Sequence, residues 1–386
     1  MVSLGCRLNL SEGESLRAML PPGDDLVVIN SCAVTAEAVR QTRQAIRRAR
    51  RERPLARLLV TGCAAEVERD MLAAMPEVDG LIANATKLDP RAWNVTARAV
   101  AAAPARTRAF VAVQNGCDHA CTFCVIPQGR GPSRSRAAEQ VVTEIARHCA
   151  AGVKEAVLTG VDLTSWGSDL PGAPRLGALV LAILDAVPAL RRLRLSSLDG
   201  IEIDPLLLEL IAAEPRVMPH VHLSLQSGDD LILKRMKRRH SRSDAIALVE
   251  GLKARRPGIA VGADLIAGFP TEGEAAHAGN LSIIRALNVV HGHIFPYSVR
   301  PGTPAARMPQ VDSPTIRRRG AELRAAVAEE RQAWLNGLLG DRIELLAERD
   351  GTGHAPHFAR AQLPEGTPAG SLVLLTPTRI IEGMLA

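Results

Sequence analysis

The chain has 386 residues, enough for roughly two or three domains of about 150 residues each. Hydrophobic residues make up 47% and charged residues 23%, proportions that exclude a disordered protein. The net charge is +6, and the aromatic content of 2% argues against RNA binding by aromatic stacking platforms. No apolar run reaches 18 residues and the N-terminus lacks the regions of a signal peptide, so we expect a cytoplasmic protein without a membrane partner.

Three apolar runs in the N-terminal third each lead into a cysteine. Residues 2–5 precede Cys6, Leu26 to Ile29 precede Cys32, and Leu58 to Val60 precede Cys63, with helical patterns after each cysteine. The intervals match a βαβ unit of about 30 residues, so the three thiols are expected at the carboxyl edge of a parallel sheet. They suit an iron–sulfur cluster with an open iron or a zinc site with an open position. Three unrelated buried cysteines are the alternative.

A linker is predicted over residues 101–108, and a short strand and a C-x3-C-x2-C motif follow it. The motif comprises Cys117, Cys121 and Cys124, whereas Cys149 lies on a predicted helix and is interpreted as a buried residue. Zinc sites usually pair two C-x2-C motifs, and no second pair is present. Three cysteines on one loop are typical of a [4Fe–4S] cluster whose open iron binds S-adenosylmethionine. One electron then cleaves the carbon–sulfur bond and yields a 5′-deoxyadenosyl radical.

Strands and helices alternate after this loop and predict a parallel sheet, open or barrel-like. The strands are expected at 155–158, 193–196, 220–225, 259–266 and 290–295, with helices between them, as at 176–186 and 243–254. Residues near the strand ends are candidates for binding S-adenosylmethionine, although each also fits an ordinary loop position. These candidates are Gly160, Asp162, Ser197, Gln226, Asp264 and Phe269.

Two arginine-rich stretches flank the proposed site. One contains Arg130, Arg134 and Arg136, and the other contains Arg235, Arg238 and Arg239 together with Lys234 and Lys237. We predict that they grip a polyanion such as RNA, with a solvated surface as the alternative. Two histidine pairs on strand faces are interpreted as half-buried residues, because neither pair has a third metal ligand in the sequence. They are His220 with His222, and His291 with His293.

The C-terminal tail is predicted to contain a helix over 315–339 and then a small β-barrel or sheet. Its expected strands lie at 343–347, 357–362, 371–376 and 379–381. The tail from residue 338 carries six acidic and four basic residues. Its charge therefore gives no support for RNA binding.

These motifs resemble those of the radical-SAM methylthiotransferases, and most closely the branch that modifies threonylcarbamoyladenosine in tRNA. The matching segments are LGCRLN at 4–9, VINSCAVT at 28–35, VTGC at 60–63, QNGC at 114–117, CVIP at 124–127, RGPSRSR at 130–136, HLSLQSG at 222–228, GFPTE at 268–272 and FPYSVRPGTP at 295–304. The combination of the three-cysteine N-terminal module with C-x3-C-x2-C is specific to this family.

The resemblance implies an α/β fold in three domains: a parallel α/β methylthiotransferase domain (1–105), a radical-SAM partial (β/α) barrel (106–337) and a TRAM-like β domain (338–386). It assigns an auxiliary [4Fe–4S] cluster to Cys6, Cys32 and Cys63, and the radical-generating cluster to Cys117, Cys121 and Cys124. The implied reaction converts N6-threonylcarbamoyladenosine at tRNA position 37 to its 2-methylthio form. The implied partners are the anticodon loops of ANN-decoding tRNAs and a reductase, flavodoxin or ferredoxin as electron donor.

Radical chemistry suits this reaction, because the C2–H bond of adenine is not acidic enough for a general base at neutral pH. Isopentenyladenosine and a ribosomal-protein aspartate remain alternative substrates. A non-enzymatic iron–sulfur or zinc RNA-binding protein is the alternative outside this chemistry. It would bind metal without cleaving S-adenosylmethionine.

Overall fold

A computed structural model of the chain describes residues 1–20, 25–95 and 106–386. The N-terminal part is a four-stranded parallel sheet in the order β1-β2-β3-β4, which confirms the predicted parallel sheet and adds β4 to the three strands that the sequence predicted. Its strands are β1 (Val2–Ser3), β2 (Leu26–Ser31), β3 (Arg57–Gly62) and β4 (Gly80–Leu81), and its helices are α1 (Arg7–Met19), α2 (Ala36–Glu52), α3 (Cys63–Val67) and α4 (Arg69–Ala73).

The local sequence explains these helix and strand positions. The Thr35 hydroxyl accepts a hydrogen bond from the Ala38 N–H and starts α2, whose buried residues recur every three or four positions. Strands β2 and β3 pair in register up to Ser31 opposite Gly62. Cys32 and Cys63 therefore leave the sheet at the same edge.

Six parallel strand positions form a partial barrel in the central part of the chain. The strands are β5 (Arg108–Ala112), β8 (Glu155–Thr159), β9 (Arg192–Leu195) continued by β10 (Ser197–Leu198), β11 (His220–Gln226), β12 (Ala260–Ala267) and β13 (Val289–Pro296). Two short strands, β6 (Gln114–Asn115) and β7 (Arg134–Ser135), pair antiparallel beside the barrel. The surrounding helices are α5 (Ile126–Arg130), α6 (Ala138–Ala150), α7 (Leu176–Ala186), α8 (Pro205–Ala213), α9 (Asp230–Arg235), α10 (Arg242–Arg255), α11 (Glu274–Leu287) and α12 (Ser313–Asn336).

Side chains alternate along the barrel strands between an apolar outer face and a polar inner face. The outer residues, such as Val111, Leu158 and Leu223, join the largest hydrophobic core, where they pack with residues of the helices. The inner residues are charged or polar on most strands. They include Arg108, Glu155, Arg194, His220, His222, Asp264, His291 and His293. The inner face of the barrel is therefore polar, and several of its side chains are buried in ion pairs and ring contacts.

The C-terminal part is a six-stranded sheet in the order β17-β14-β15-β16-β19-β18. The strands are β14 (Ile343–Ala347), β15 (Thr352–His354), β16 (Arg360–Gln362), β17 (Leu372–Leu375), β18 (Ile380–Ile381) and β19 (Met384–Leu385). The expected strand at 357–362 is shortened, because the Ala355 N–H donates to the Ala359 carbonyl and Phe358 adopts a φ of +70°. The expected linker at 101–108 lies mostly outside the described residues. Within the described ranges, no helix combines the length and the apolar character needed to cross a bilayer.

Candidate active site

The C-x3-C-x2-C motif lies on a loop between β6 and α5, at the carboxyl edge of the barrel. At its start, Gly116 has a φ of +77°, and a Cβ atom there would lie 1.9 Å from the Pro132 carbonyl oxygen, so only glycine fits. The Gln114 side chain donates to the Gly116 carbonyl at 2.8 Å, and its Oε1 accepts from the Asp162 N–H at 2.9 Å. One side chain thus holds both the cysteine loop and the loop after β8.

Each sulfur atom of this motif accepts an N–H hydrogen bond at 3.4–3.8 Å. The pairs are the His119 N–H with Cys117, the Ile126 N–H with Cys124, and the Arg238 guanidinium with Cys121. Burial raises the pKa of Cys117 to about 12 and that of Cys124 to about 11. These thiols are therefore not free thiolate nucleophiles at neutral pH, whereas a bound metal would displace their protons.

Acidic and basic side chains surround the motif on the side of β8 and β10. Asp162 lies 4.0 Å from the Cys117 sulfur, and it accepts a hydrogen bond from His119 that raises the pKa of this histidine to about 10. Buried Asp199 forms ion pairs with Arg238 at 3.0 Å and with Arg239 at 3.5 Å. Sequence reasoning missed Asp199 and His119, whose positions next to β10 and inside the motif were the available signals.

The remaining candidates for binding S-adenosylmethionine lie in different environments. Gly160 packs against Gln114, since a Cβ atom at this glycine would meet the Gln114 Oε1 at 2.9 Å. Ser197 and Gln226 are partly exposed at the ends of β10 and β11. Asp264 lies farther down the barrel, where its Oδ1 accepts hydrogen bonds from two histidines. The structure therefore brings Gly160 and Asp162 to the cysteine loop and places Asp264 apart from them.

Phe269 supports the cysteine loop from beneath. Its ring is fully buried and makes an edge contact with Phe123 of the motif at a centroid distance of 6.3 Å. It contacts Tyr297 on its other side at 5.7 Å. Phe269 therefore has no surface available to a ligand, and the expectation that it binds S-adenosylmethionine directly is corrected to a packing role.

Cys6, Cys32 and Cys63 converge at the edge of the N-terminal sheet. Gly5 has a φ of +89° and packs so closely on Cys32 that a Cβ atom would lie 2.7 Å from the Cys32 sulfur. Burial raises the pKa of Cys32 to about 11, and the neighbouring thiols of Cys63 and Cys6 raise it further. The predicted convergence of the three thiols is thus present in the structure.

A buried ionic network joins Cys6, Cys32 and Cys63 to the C-x3-C-x2-C loop. Glu12 pairs with Lys87 at 2.6 Å and with Arg130 at 2.9 Å, and all three side chains are at most 3% exposed. Arg130 also donates to the Cys63 sulfur at 3.2 Å and to the Asn115 Oδ1 at 2.7 Å. Arg130 therefore cannot reach RNA, and its predicted role as an RNA-binding residue is wrong. Burial explains the difference, because the guanidinium is desolvated and its donors are occupied.

The other predicted RNA-binding arginines differ in exposure. Arg134 is exposed, whereas Arg136 pairs with Glu144 at 2.7 Å. Arg235 donates to the Thr271 hydroxyl at 2.6 Å. Arg238 is bound by Asp199 and Cys121. Arg239 is exposed but pairs with Asp199 and Glu202, and Lys234 and Lys237 are exposed. The exposed positively charged surface is therefore smaller than the sequence suggested.

Comparison with known proteins identifies the same two modules. Residues 111–278 match the family model "Radical SAM superfamily", and residues 1–83 match "Uncharacterized protein family UPF0004". The chain is 41% identical over 403 residues, covering 100% of it and 96% of the relative, to "Threonylcarbamoyladenosine tRNA methylthiotransferase MtaB" of Rickettsia prowazekii. It is 32% identical, over 90% of the chain and 86% of the relative, to "tRNA-2-methylthio-N(6)-dimethylallyladenosine synthase" of Erythrobacter litoralis.

The chain belongs to the radical-SAM methylthiotransferase family. Its fold is similar to that of the radical S-adenosylmethionine methyltransferase TsrM from Kitasatospora setae, with a TM-score of 0.56, 16% identity, and coverage of 78% of this chain and 68% of that one. As a radical-SAM methylthiotransferase, the chain uses S-adenosylmethionine and a [4Fe–4S] cluster. Three sulfur atoms on one loop, each with an N–H donor, fit a cluster whose fourth iron is left open.

Cys149 plays no part in this methylthiotransferase site. It lies on α6, as predicted, and is partly buried against the main core rather than fully buried. All seven cysteines are free thiols. Cys6, Cys32 and Cys63 therefore lie together at one place, Cys117, Cys121 and Cys124 lie on one loop, and Cys149 lies apart from both sets.

Proposed function

We propose that this chain is a tRNA methylthiotransferase that converts N6-threonylcarbamoyladenosine at position 37 to its 2-methylthio derivative. The observation that supports it most is the placement of two three-cysteine sets at one interface. Gly129, on the helix after the radical-SAM loop, is packed so tightly that a Cβ atom would lie 3.3 Å from the Cys63 Cβ. The 41% identity to a relative named for this substrate supports the choice of nucleoside.

The proposal includes a second [4Fe–4S] cluster held by Cys6, Cys32 and Cys63. A cluster held by three thiols has one iron without a protein ligand, which leaves that iron open for a sulfur atom. The Arg130 guanidinium, which donates to the Cys63 sulfur, suits a negatively charged thiolate ligand. Bound at Cys117, Cys121 and Cys124, one cluster would supply the electron that cleaves S-adenosylmethionine to methionine and the radical that breaks the C2–H bond, and the second cluster would hold the sulfur atom to be inserted.

The protein residues contribute positioning around these groups. Asp162 and Gly160 line the loop beside Cys117, where S-adenosylmethionine would bind, and Gln114 keeps that loop at a fixed distance from the motif. The exposed cations Arg134 and Arg239, with their neighbours Lys234 and Lys237, would contact the tRNA backbone. Ser197 and Gln226 at the strand ends and Asp264 farther down the barrel stay candidates for binding S-adenosylmethionine.

We also propose the setting in which this reaction takes place. The three domains are 1–105, 106–337 and 338–386, and the tRNA partners are the ANN-decoding set. The electron donor is a reductase, flavodoxin or ferredoxin, because reductive cleavage of S-adenosylmethionine needs one electron per event. The proposed location is the cytoplasm, where tRNA is available as the substrate.

Nucleoside analysis of tRNA from a deletion strain tests the substrate. We expect loss of 2-methylthio-N6-threonylcarbamoyladenosine and its return on complementation with this gene. Retention of this nucleoside with loss of the isopentenyl counterpart would assign the chain to the other tRNA branch. Anaerobic reconstitution is expected to give about eight iron atoms per chain and 5′-deoxyadenosine on reduction with dithionite. About four iron atoms would contradict the second cluster.

A further inference from the structure

Among the residues that the structure describes, Arg7 is a cation without an ion-pair partner at the lower end of the barrel interior. It directly follows Cys6, and its guanidinium carbon lies 5.4 Å from the centre of the Phe358 ring. The same ring contacts His220 at 5.3 Å and His291 at 5.7 Å, both on the inner face of the barrel. Arg7 therefore extends from the N-terminal sheet into the barrel interior, with Phe358 of the C-terminal sheet beneath it.

The arginines next to Arg7 in the barrel interior have carboxylate partners. Arg194 pairs with Glu155 at 2.8 Å, and Arg108 pairs with Glu348 at 2.8 Å. Within residues 1–20, 25–95 and 106–386, Arg7 forms neither an ion pair nor a side-chain hydrogen bond. A partly buried guanidinium with free donors is costly unless a ligand satisfies it.

Among the polar groups of the barrel interior, Arg7 is the one best placed to bind an anionic ligand. Asp264, which faces the same interior, already accepts hydrogen bonds from His222 at 2.9 Å and from His293 at 3.1 Å. This carboxylate would repel an anionic ligand, and its histidine partners reduce that repulsion. A planar ligand carboxylate can instead form two parallel hydrogen bonds with the Arg7 guanidinium.

We propose that Arg7 binds the carboxylate of the threonyl group on the substrate nucleoside and thereby selects threonylcarbamoyladenosine. This inference rests on the proposed function. The position suits the role, because Arg7 adjoins Cys6, at the site of sulfur insertion, and points away from the cysteines into the cavity. A dimethylallyl group is apolar and uncharged, so it would leave the Arg7 guanidinium without a partner. Arg7 would then discriminate between the two nucleosides by rejecting the neutral one.

The test compares two anticodon stem-loop RNAs, one with the threonyl carboxylate and one with its neutral carboxamide. The reconstituted full-length protein is measured for RNA affinity, for methylthiolation and for the KM of S-adenosylmethionine. We expect the wild type to bind the carboxylate RNA about ten- to a hundredfold more tightly than the carboxamide RNA. The Arg7→Gln variant should bind both RNAs equally, and Arg7→Lys should retain part of the preference. Arg48→Gln, which removes an exposed arginine of the same domain, should keep the wild-type ratio.

Several outcomes would overturn the inference. Equal affinity of the wild type for the two RNAs would do so without any variant. An equal loss of affinity for both RNAs in Arg7→Gln would instead mean that Arg7 contacts an RNA phosphate or only packs against its neighbours. A raised KM for S-adenosylmethionine would assign it to the carboxylate of that cofactor. Methylthiolation of dimethylallyladenosine with none of threonylcarbamoyladenosine would mean that the proposed function itself had failed.

Discussion

Replacing Glu12 with Gln should be the most destabilising single change at the interface between the two cysteine sets. Glu12 is 3% exposed and neutralises Lys87 and Arg130, each of which is 1% exposed. The Glu12→Gln variant leaves two buried cations without an anion, at a cost of about 3–5 kcal/mol. Lys87→Met leaves Glu12 paired with Arg130 and removes the Lys87 bonds to Glu12 and Asn30 together with the buried cation itself, at a net cost of about 1–2 kcal/mol.

The double variant gives the sharper test. With both Glu12 and Lys87 neutralised, Arg130 is the one remaining ion of the three, and it keeps its bonds to Asn9 at 2.5 Å and to Asn115 at 2.7 Å. We therefore expect the double variant to be more stable than Glu12→Gln alone, although it carries one more substitution. The coupling energy should be about 1–3 kcal/mol.

Urea unfolding followed by circular dichroism measures the loss, and hydrogen exchange of α1 and of the segment around Lys87 locates it. Exchange there should accelerate by roughly 100- to 5,000-fold in Glu12→Gln. Burial alone would raise the pKa of Glu12, but Lys87 and Arg130 lower it below its ordinary value. The stability that the carboxylate contributes is therefore present above about pH 4.5 and lost as the pH falls through the native pKa. Equal losses in the two single variants, or simple additivity in the double variant, would refute this reasoning.

Three further changes test separate parts of the site. Cys63→Ala should lower the iron content from about eight to about four atoms per chain and abolish thiolation while 5′-deoxyadenosine still forms; loss of both activities would make the N-terminal thiols structural. Gly116→Ala should cost at least about 2 kcal/mol and remove the radical-SAM iron, because its Cβ would lie 1.9 Å from the Pro132 oxygen; normal iron content would contradict this. Arg134→Ala should weaken binding of all tRNAs alike and reduce the salt slope by about 0.9, whereas Arg136→Ala, already paired with Glu144, should change it little; equal effects would argue against phosphate contact by Arg134.

The sequence was sufficient where a spacing maps directly onto geometry. The intervals between Cys6, Cys32 and Cys63 match strand–helix units, and parallel strands in register bring their ends to one edge. The C-x3-C-x2-C spacing places three sulfurs on one loop whatever the surroundings. Local patterns also located most barrel strands, because outward apolar residues alternate with inward polar ones.

Contacts between distant segments could not be read from the sequence in the same way. Arg130 and Arg134 stand four residues apart in one basic stretch, yet the first is buried and the second exposed. The difference arises from Glu12, Asn9 and Asn115, which approach Arg130 only after the N-terminal sheet packs on the barrel. The sequence shows where the basic residues are, but only the folded structure shows whether each one is exposed to solvent or paired with a carboxylate.

The same packing explains why an ionic network, rather than an apolar one, lies between the cysteine sets. Apolar residues of similar volume would often be equally stable there, so stability alone does not account for Glu12, Lys87 and Arg130. Arg130 contacts Cys63 on one side and Asn115, just before the radical-SAM loop, on the other. A planar guanidinium with fixed donor directions constrains these contacts more tightly than methyl groups would. The hydrogen bonds of this network therefore fix the position of one cysteine set relative to the other. Transfer of a sulfur atom to a defined carbon requires such a fixed geometry.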